Sequence, residues 1–390
     1  MTSLTKIPCV FMRGGTSKGI VINKKHLPSN QAERDKLILR IYGSPDQRQI
    51  DGLGGGTPVT SKVALIEESN DEHIDIVYTF GQVSITKDEI DYKPTCGNIS
   101  TAVGLYAVEE GFCELKEPWT VVRIFNTNTN RVIEVEVPTK NGETMYEGDY
   151  SISGVPGTAP RINVNFLDSG GAITGNILPT GNVRDTVELP SGEIYQISVV
   201  DSANTLIFIT ADQLNIRGTE IGDKFNQQPL LKKLEEIRVT VGVQIGLIDD
   251  AKNASPSTHA LPKIAVIANP TDYVNSEGND VLAEDIHVTG RYIAMGTLHQ
   301  AFAVSGAIAI ATGAQIPGTV VADIISSHDG PVRIGHPSGI IEVEAVVKQT
   351  EGGYVVERAA IGRTARRLME GHSLVPSNLY KGRSEVIKLV

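Results

Sequence analysis

The sequence predicts an α+β protein built from two similar halves, and three observations carry that prediction. Strand-like runs outnumber helical ones and do not alternate with them, which argues against a doubly wound parallel sheet. Two pairs of segments echo each other at nearly the same spacing. The chain, at 390 residues, also exceeds one ordinary core at about 100–200 residues per domain.

The strand-like runs come first along the chain. Ile7–Met12, Gly19–Asn23, Val63–Glu67, Ile74–Phe80 and Trp119–Phe125 lie in the first half; Tyr195–Val200, Leu206–Ile209, Ile264–Ile267 and Ile340–Val347 lie in the second. Most are β-branched and bounded by Gly, Pro, Asn or Asp. Helices are expected at Gln31–Tyr42 with Ser29 or Asn30 as N-cap, at Asn98–Glu110, at Pro229–Ile237 and at Arg363–Glu370, the last stopped by Gly371. Ser61–Ile66 is echoed by Pro262–Ile267, with Lys62 and Lys263 201 residues apart. Cys96–Ala102 is echoed by Ser305–Ala311, 209 residues on. Same order and similar spacing point to a duplicated unit. The Gly-, Pro- and Asn-rich stretch Thr180–Gly192 is read as the boundary, giving domains 1–185 and 186–390 with a small-molecule site expected between them.

Composition removes several function classes. The net charge of −11 disfavours nucleic acid and anionic membrane surfaces, which need a basic face. An anionic substrate must then be held by a local cluster of donors. Three cysteines, Cys9, Cys96 and Cys113, make no disulfide framework and fit a reducing cytoplasm. The segment MTSLTKIPCVFMRGG lacks a signal pattern, and no apolar run approaches 18 residues. The histidines are scattered, with no H-E-x-x-H and no paired cysteines at ligand spacing, so a protein-held metal is not expected.

Four places can carry chemistry. Cys96 precedes a helical run, where unpaired N–H groups and the helix dipole favour a thiolate or a substrate carboxylate; the other reading is a small buried cysteine at a helix start. Lys62 opens an apolar strand, where burial lowers an amine's pKa and allows it to act as a base; otherwise it is a solvated strand-edge lysine. The preceding glycines, Gly54-Gly55-Gly56, permit close approach of a ligand to the backbone. They do not make a phosphate loop, because Ser61 replaces the second glycine and Val63 follows the lysine. Arg13-Gly14-Gly15-Thr16-Ser17-Lys18-Gly19 offers hydroxyls and amides to a carboxylate, or is a turn with polar filler. His299, in Met295–Gln300 just before a helix start at Ser305, can donate to a carboxylate or can be structural. Cys9 and Cys113 are read as structural.

The motifs Met12–Gly19, Gly54–Lys62, Cys96-Gly97-Asn98, Ser305-Gly306-Ala307, His336-Pro337-Ser338-Gly339 and Arg363–Gly371 together resemble the PrpF family, which includes 2-methylaconitate isomerase, 3-methylitaconate Δ-isomerase and 4-oxalomesaconate tautomerase. The resemblance implies a diaminopimelate epimerase-like fold: two topologically similar halves, each a sheet wrapped around a central helix, with the active site in the cleft between them. The first domain would carry Lys62 and Cys96 as the acid/base pair, and the C-terminal segment could complete that domain. Thr16, Ser17, Asn98, Lys263 and His299 would help hold substrate, with amides at Gly97 and at Ser305, Gly306 and Ala307 as anion sites. It further implies a cofactor-independent enzyme that forms a homo-oligomer, dimer or tetramer. The epimerases use one cysteine from each half, whereas the second half here has none, so Lys62 becomes the partner of Cys96.

The chemistry implied is a 1,3-allylic proton shift on a small unsaturated di- or tricarboxylate of the aconitate, methylaconitate, methylitaconate or oxalomesaconate type. Cis–trans isomerisation follows if the intermediate rotates before reprotonation. Two alternatives stay open: a Lys/Cys epimerase acting at a saturated carbon, and a non-catalytic carboxylic-acid-binding protein.

Overall fold

The computed structural model describes residues 4–254, 261–325 and 330–377. Contacts group them into two compact units. One comprises residues 4–150, 159–162 and 363–377; the other comprises 151–158 and the described residues of 163–362. The turn-rich stretch 180–192 lies inside the second unit, where Thr180 and Asn182 hydrogen-bond Asp185 at 2.7 and 2.8 Å.

In chain order the first unit runs β1 (Leu4–Gly14), β2 (Ser17–Asn23), α1 (Gln31–Tyr42), β3 (Lys62–Glu68), β4 (Ile76–Val83), α2 (Gly97–Glu109), β5 (Trp119–Asn126) and β6 (Arg131–Lys140). The second runs β7 (Ile194–Ser202), β8 (Asn204–Thr210), α3 (Gln228–Gln244), β9 (Lys263–Ala268), β10 (Val288–Ala294), α4 (Val304–Ala314), β11 (Val332–His336), β12 (Gly339–Thr350) and β13 (Gly353–Arg363). The chain then returns to the first unit as β14 (Ala365–Pro376).

The duplication expected from the two echoes is present in the strand pairings. In the first unit β1–β2 is antiparallel, β2–β3 parallel, β3–β4 antiparallel, β4–β5 parallel and β5–β6 antiparallel. The second repeats this series from β7 to β12 without a change. Each parallel pair needs a crossover, and in each unit the first crossover carries a helix, α1 or α3, at the same place.

The second helix of each unit is its centre. Every residue of α2 from Gly97 to Val108 is buried, as is every residue of α4 from Val304 to Gly313. A helix that is apolar or small all round has no solvent face and must be enclosed. Strands β1, β2, β5, β6 and β14 surround α2, and β7, β8 and β12 pack on α4. On the other side of the first sheet, α1 buries Leu37, Ile38, Ile41 and Tyr42 against Ile7, Ile20, Ile22, Val63 and Leu65. Its start matches the expected cap: the Asn30 side chain accepts from the Glu33 amide at 3.1 Å, and Gly43 ends the helix in the left-handed region.

One expectation fails. Arg363–Glu370 is not a helix; it belongs to the end of β13 and to β14, which pairs antiparallel with β1 from Leu4↔Pro376 to Gly14↔Ala365. Arg, Leu, Met and Glu are good helix formers. Here the backbone groups of β1 need a partner along one whole side, and a ladder of that length outweighs local propensity.

Candidate active site

The turn between β1 and β2 sits on the start of α2, and its glycines are there for space. A Cβ on Gly14 would lie 2.0 Å from the Asn98 carbonyl oxygen. A Cβ on Gly15, already at φ +49, would lie 2.0 Å from Asn98 Oδ1. This closeness groups three of the expected residues. Asn98 Nδ2 donates to Thr16 Oγ1 at 3.0 Å and to Ser17 Oγ at 3.5 Å, and Ser17 and Asn98 are both buried. Asn98 Oδ1 is buried with no hydrogen-bond partner among the described residues.

Cys96 is the N-cap of α2, extended at φ −139, and its side chain makes no capping bond. The first intrahelical donor is Ser100, whose amide bonds the Cys96 carbonyl at 2.9 Å. The amides of Gly97, Asn98 and Ile99 therefore lie ahead of the ladder, where donors and helix dipole favour an anion. The Cys96 thiol is part-exposed. Burial pushes the Cys9 thiol up and the Cys113 thiol up to about 11. Those two are poor thiolate sources, as a structural role requires.

Lys62 heads β3, held parallel to Gly19 and antiparallel to Gln82. It is 8 % exposed, its Nζ donates to Gln82 Oε1 at 2.6 Å, and it lies 5.1 Å from the centre of the Phe80 ring. Burial holds its pKa below the ordinary lysine range, and the neighbouring Cys96 acts against that shift in part. The amine and the thiol are thus within electrostatic reach of one another. Tyr78, fully buried on the same face of β4, is kept neutral by burial and, secondarily, by Cys96. The Tyr42 hydroxyl from α1 donates to the Lys62 carbonyl and accepts from the Ile20 amide, which pins the strand carrying the amine.

The glycine run ahead of Lys62 packs against its own chain. A Cβ on Gly54 would lie 2.2 Å from the Gln49 side chain, and one on Gly55 would lie 2.5 Å from Thr60 Oγ1. Gln49 Oε1 in turn accepts from the Gly56 amide at 2.8 Å and from Ser61 Oγ at 2.7 Å. These glycines shape the turn that delivers Lys62; the protein itself fills the space expected for a ligand.

Positive charge gathers around this loop despite the acidic chain. Arg13 donates to the Gly15 carbonyl and to both oxygens of Thr364, each at 3.0 Å. Arg363 is buried with its Cδ 3.2 Å from where a Cβ on Gly15 would stand. Burial pulls its guanidinium down to about 10, so it stays charged at neutral pH.

The remaining expected residues lie in the second unit. Lys263 heads β9 and is 8 % exposed. Ser305 Oγ accepts from Asn204 Nδ2 at 2.8 Å. His299 Nδ1 accepts from the Ala301 amide at 3.0 Å, which puts the ring proton of the neutral form on Nε2. The cap of α4 is Ala303, so Ser305 is the second residue of its helix and not the counterpart of Cys96 by helix start. The Ala307 amide already donates to the Ala303 carbonyl at 2.9 Å; Ser305 and Gly306 lie ahead of that bond. Among the described residues, no group of three or more His, Cys, Asp or Glu is placed to hold a metal.

Three residues near these groups escaped the sequence reading: Gln82, Tyr78 and Asn204. The first two needed the β3–β4 register, which pairs Lys62 with Gln82 and Ile66 with Tyr78. The only local signal was alternation, with Tyr78, Phe80 and Gln82 two residues apart on one face.

Comparison with known proteins bears on the family and the fold. A family profile described as "PrpF protein" matches residues 4–376. The chain is 46% identical over 380 residues to the 3-methylitaconate isomerase of Eubacterium barkeri, covering 96% of this chain and 98% of that protein. It is 37% identical over 386 residues to the 2-methyl-aconitate isomerase of Shewanella oneidensis, covering 95% and 97%. Among solved structures, a methylitaconate-delta-isomerase aligns with TM-score 0.79 at 44% identity over 98% of both chains. A hydroxyproline epimerase from Agrobacterium vitis aligns with TM-score 0.58 at 12% identity over 95% and 93%, a likeness of fold alone.

Proposed function

The chain belongs to the PrpF family, and on that premise we propose that it isomerises a small unsaturated di- or tricarboxylic acid by moving a proton between carbons. The acid/base pair is Lys62 and Cys96. The observation that carries this reading is the setting of Lys62: a buried amine hydrogen-bonded to a neutral amide, its proton affinity lowered by burial, within electrostatic reach of a cysteine at a helix start. The relatives named for 3-methylitaconate and 2-methylaconitate support the substrate class.

The substrate carboxylate is held by the first-turn amides of α2 with Thr16, Ser17 and Asn98, beside the charge of Arg13 and Arg363. In the second unit, Ser305 and Gly306 offer first-turn amides of α4 and His299 an Nε2 donor of the kind that binds a carboxylate, with Lys263 at the head of β9. Lys62, as free amine, takes a proton from the carbon next to the double bond. The electron pair left behind delocalises through the double bond into a carboxylate or keto oxygen, where N–H donors stabilise it. The Cys96 thiol gives a proton to the far allylic carbon, which moves the double bond. Turnover leaves an ammonium and a thiolate, and proton return from one to the other resets the pair. In the reverse direction the roles exchange.

The test is proton NMR in D₂O with trans-aconitate, methylaconitate, itaconate and 4-oxalomesaconate, without added metal. Deuterium entering the allylic position as the double bond migrates or inverts is the expected result. Lys62→Met and Cys96→Ala should each lose about 10²–10⁴ in rate while staying folded. Near-wild-type turnover in either variant would refute the pair. Exchange at a saturated carbon without bond migration would favour an epimerase, and binding with no exchange a non-catalytic acid-binding protein.

A further inference from the structure

Resting on the reading of Lys62 as an acid/base group, we infer that Gln82 is its positioning residue: the amide oxygen aims the amine, and because that oxygen is uncharged it leaves the amine able to give up its proton. Gln82 Oε1 accepts from Lys62 Nζ at 2.6 Å. The amide cannot turn round, because its Nε2 donates to the carbonyls of Ser61 at 2.9 Å and Pro58 at 3.2 Å. Carbonyls only accept, so a flipped amide would set oxygen against oxygen. The same two bonds tie the turn before β3 to β4, which fixes where the lysine stem begins.

A neutral partner is the chemically informative choice. An amide oxygen bonds an amine in either protonation state, whereas a carboxylate at this distance would stabilise the ammonium and hold the proton on it. Of the titratable groups around it, Cys96 ahead of α2 acts on the amine and the Tyr42 hydroxyl on α1 bonds the Lys62 carbonyl. The buried carboxylate in register on the far side of Gln82 is Asp91, which accepts from the Lys93 amide at 2.8 Å, so the glutamine stands between it and Lys62 in the sheet.

The second unit shows that the fold itself does not require this glutamine. Lys263 stands at the same place, at the head of β9, and is equally buried at 8 %. The β9–β10 ladder, running from Ile264↔Ile293, puts Ala294 at the position that corresponds to Gln82. The residue in register with this buried lysine is thus an alanine, where the first unit has the amide.

Full-length Gln82→Glu and Gln82→Met proteins test this beside wild type and Lys62→Met. The first readout needs no substrate: the Lys62 signal in protein labelled with ¹³Cε-lysine, assigned by its loss in Lys62→Met, is titrated by NMR. In Gln82→Glu the midpoint should rise by about one pH unit or more, and deuterium incorporation from D₂O into 3-methylitaconate at neutral pH should fall roughly tenfold per unit and recover at higher pH. Gln82→Met should lower kcat on the order of 10–100-fold with KM within about twofold, as misaim of a reacting group does. A wild-type Lys62 midpoint in Gln82→Glu would overturn the inference, as would wild-type kcat in Gln82→Met. If Gln82→Met does not fold, the isosteric glutamate variant decides by its midpoint alone. Normal deuteration by Lys62→Met would instead bring down the acid/base reading. An inactive Lys62→Met beside two wild-type-like Gln82 variants would remove only the role of Gln82.

Discussion

A lysine amine set among strand residues costs stability whenever it carries its charge, and at Lys62 that cost has a sign that can be measured. Its pKa is lowered in the folded protein, so over the interval between the folded value and the unfolded value near 10.5 the unfolded chain binds more protons. Stability must rise with pH across that window and lose this gain as pH falls through the folded pKa. Lys62→Met lacks the titration. The unfolding free energy of wild type minus that of Lys62→Met should climb as pH increases towards 10, by at most about 1.4 kcal/mol per pH unit. Denaturant unfolding of both proteins at pH 7 and above checks it, and a flat or falling difference would mean the amine is solvated. At this scale the sequence was informative about identity and poor about neighbours. A lysine opening an apolar strand and a cysteine before a helix could both be singled out. Gln82 could not, because what makes it a partner is the β3–β4 register.

Helix α2 and the β1–β2 turn pack as one element. The helix brings Cys96, Gly97 and Asn98; the turn brings Thr16 and Ser17; the two glycines between let them touch. Gly14→Ala puts a methyl group 2.0 Å from a helix carbonyl that cannot yield without moving Asn98. A loss of about 1–3 kcal/mol in stability is expected for such overpacking. Substrate KM should rise in the same variant because Asn98 is displaced from Thr16 and Ser17. Thermal melts and steady-state kinetics read both, and an unchanged KM would separate the turn from substrate binding. The element scale is also where local reading failed, at Arg363–Glu370. Helical propensity there is real, yet the partner that decides the outcome, β1, lies more than three hundred residues away in sequence.

The molecule is two copies of one strand order, and its last strand serves the first copy. β14 covers the outer side of β1 along its whole length, so removing residues 363–390 should expose a long unpaired edge. Hydrogen exchange on the truncated chain should show Leu4–Gly14 amides losing protection while β7–β10 amides keep theirs. Retained protection in β1 would show that the edge is closed in some other way. Much of this plan could be read from the chain alone: the fold class, the duplication, the family and most of the residues around Cys96. Each is written in local pattern, in β-branched runs, in glycines at turns, or in echoes spaced at a constant distance. Three things were decided by tertiary structure: the pairing of β14 with β1, the burial that lowers the proton affinity of Lys62, and the amide that meets its nitrogen. All three depend on which distant strands lie side by side, and a period of two or 3.6 residues holds no information about that.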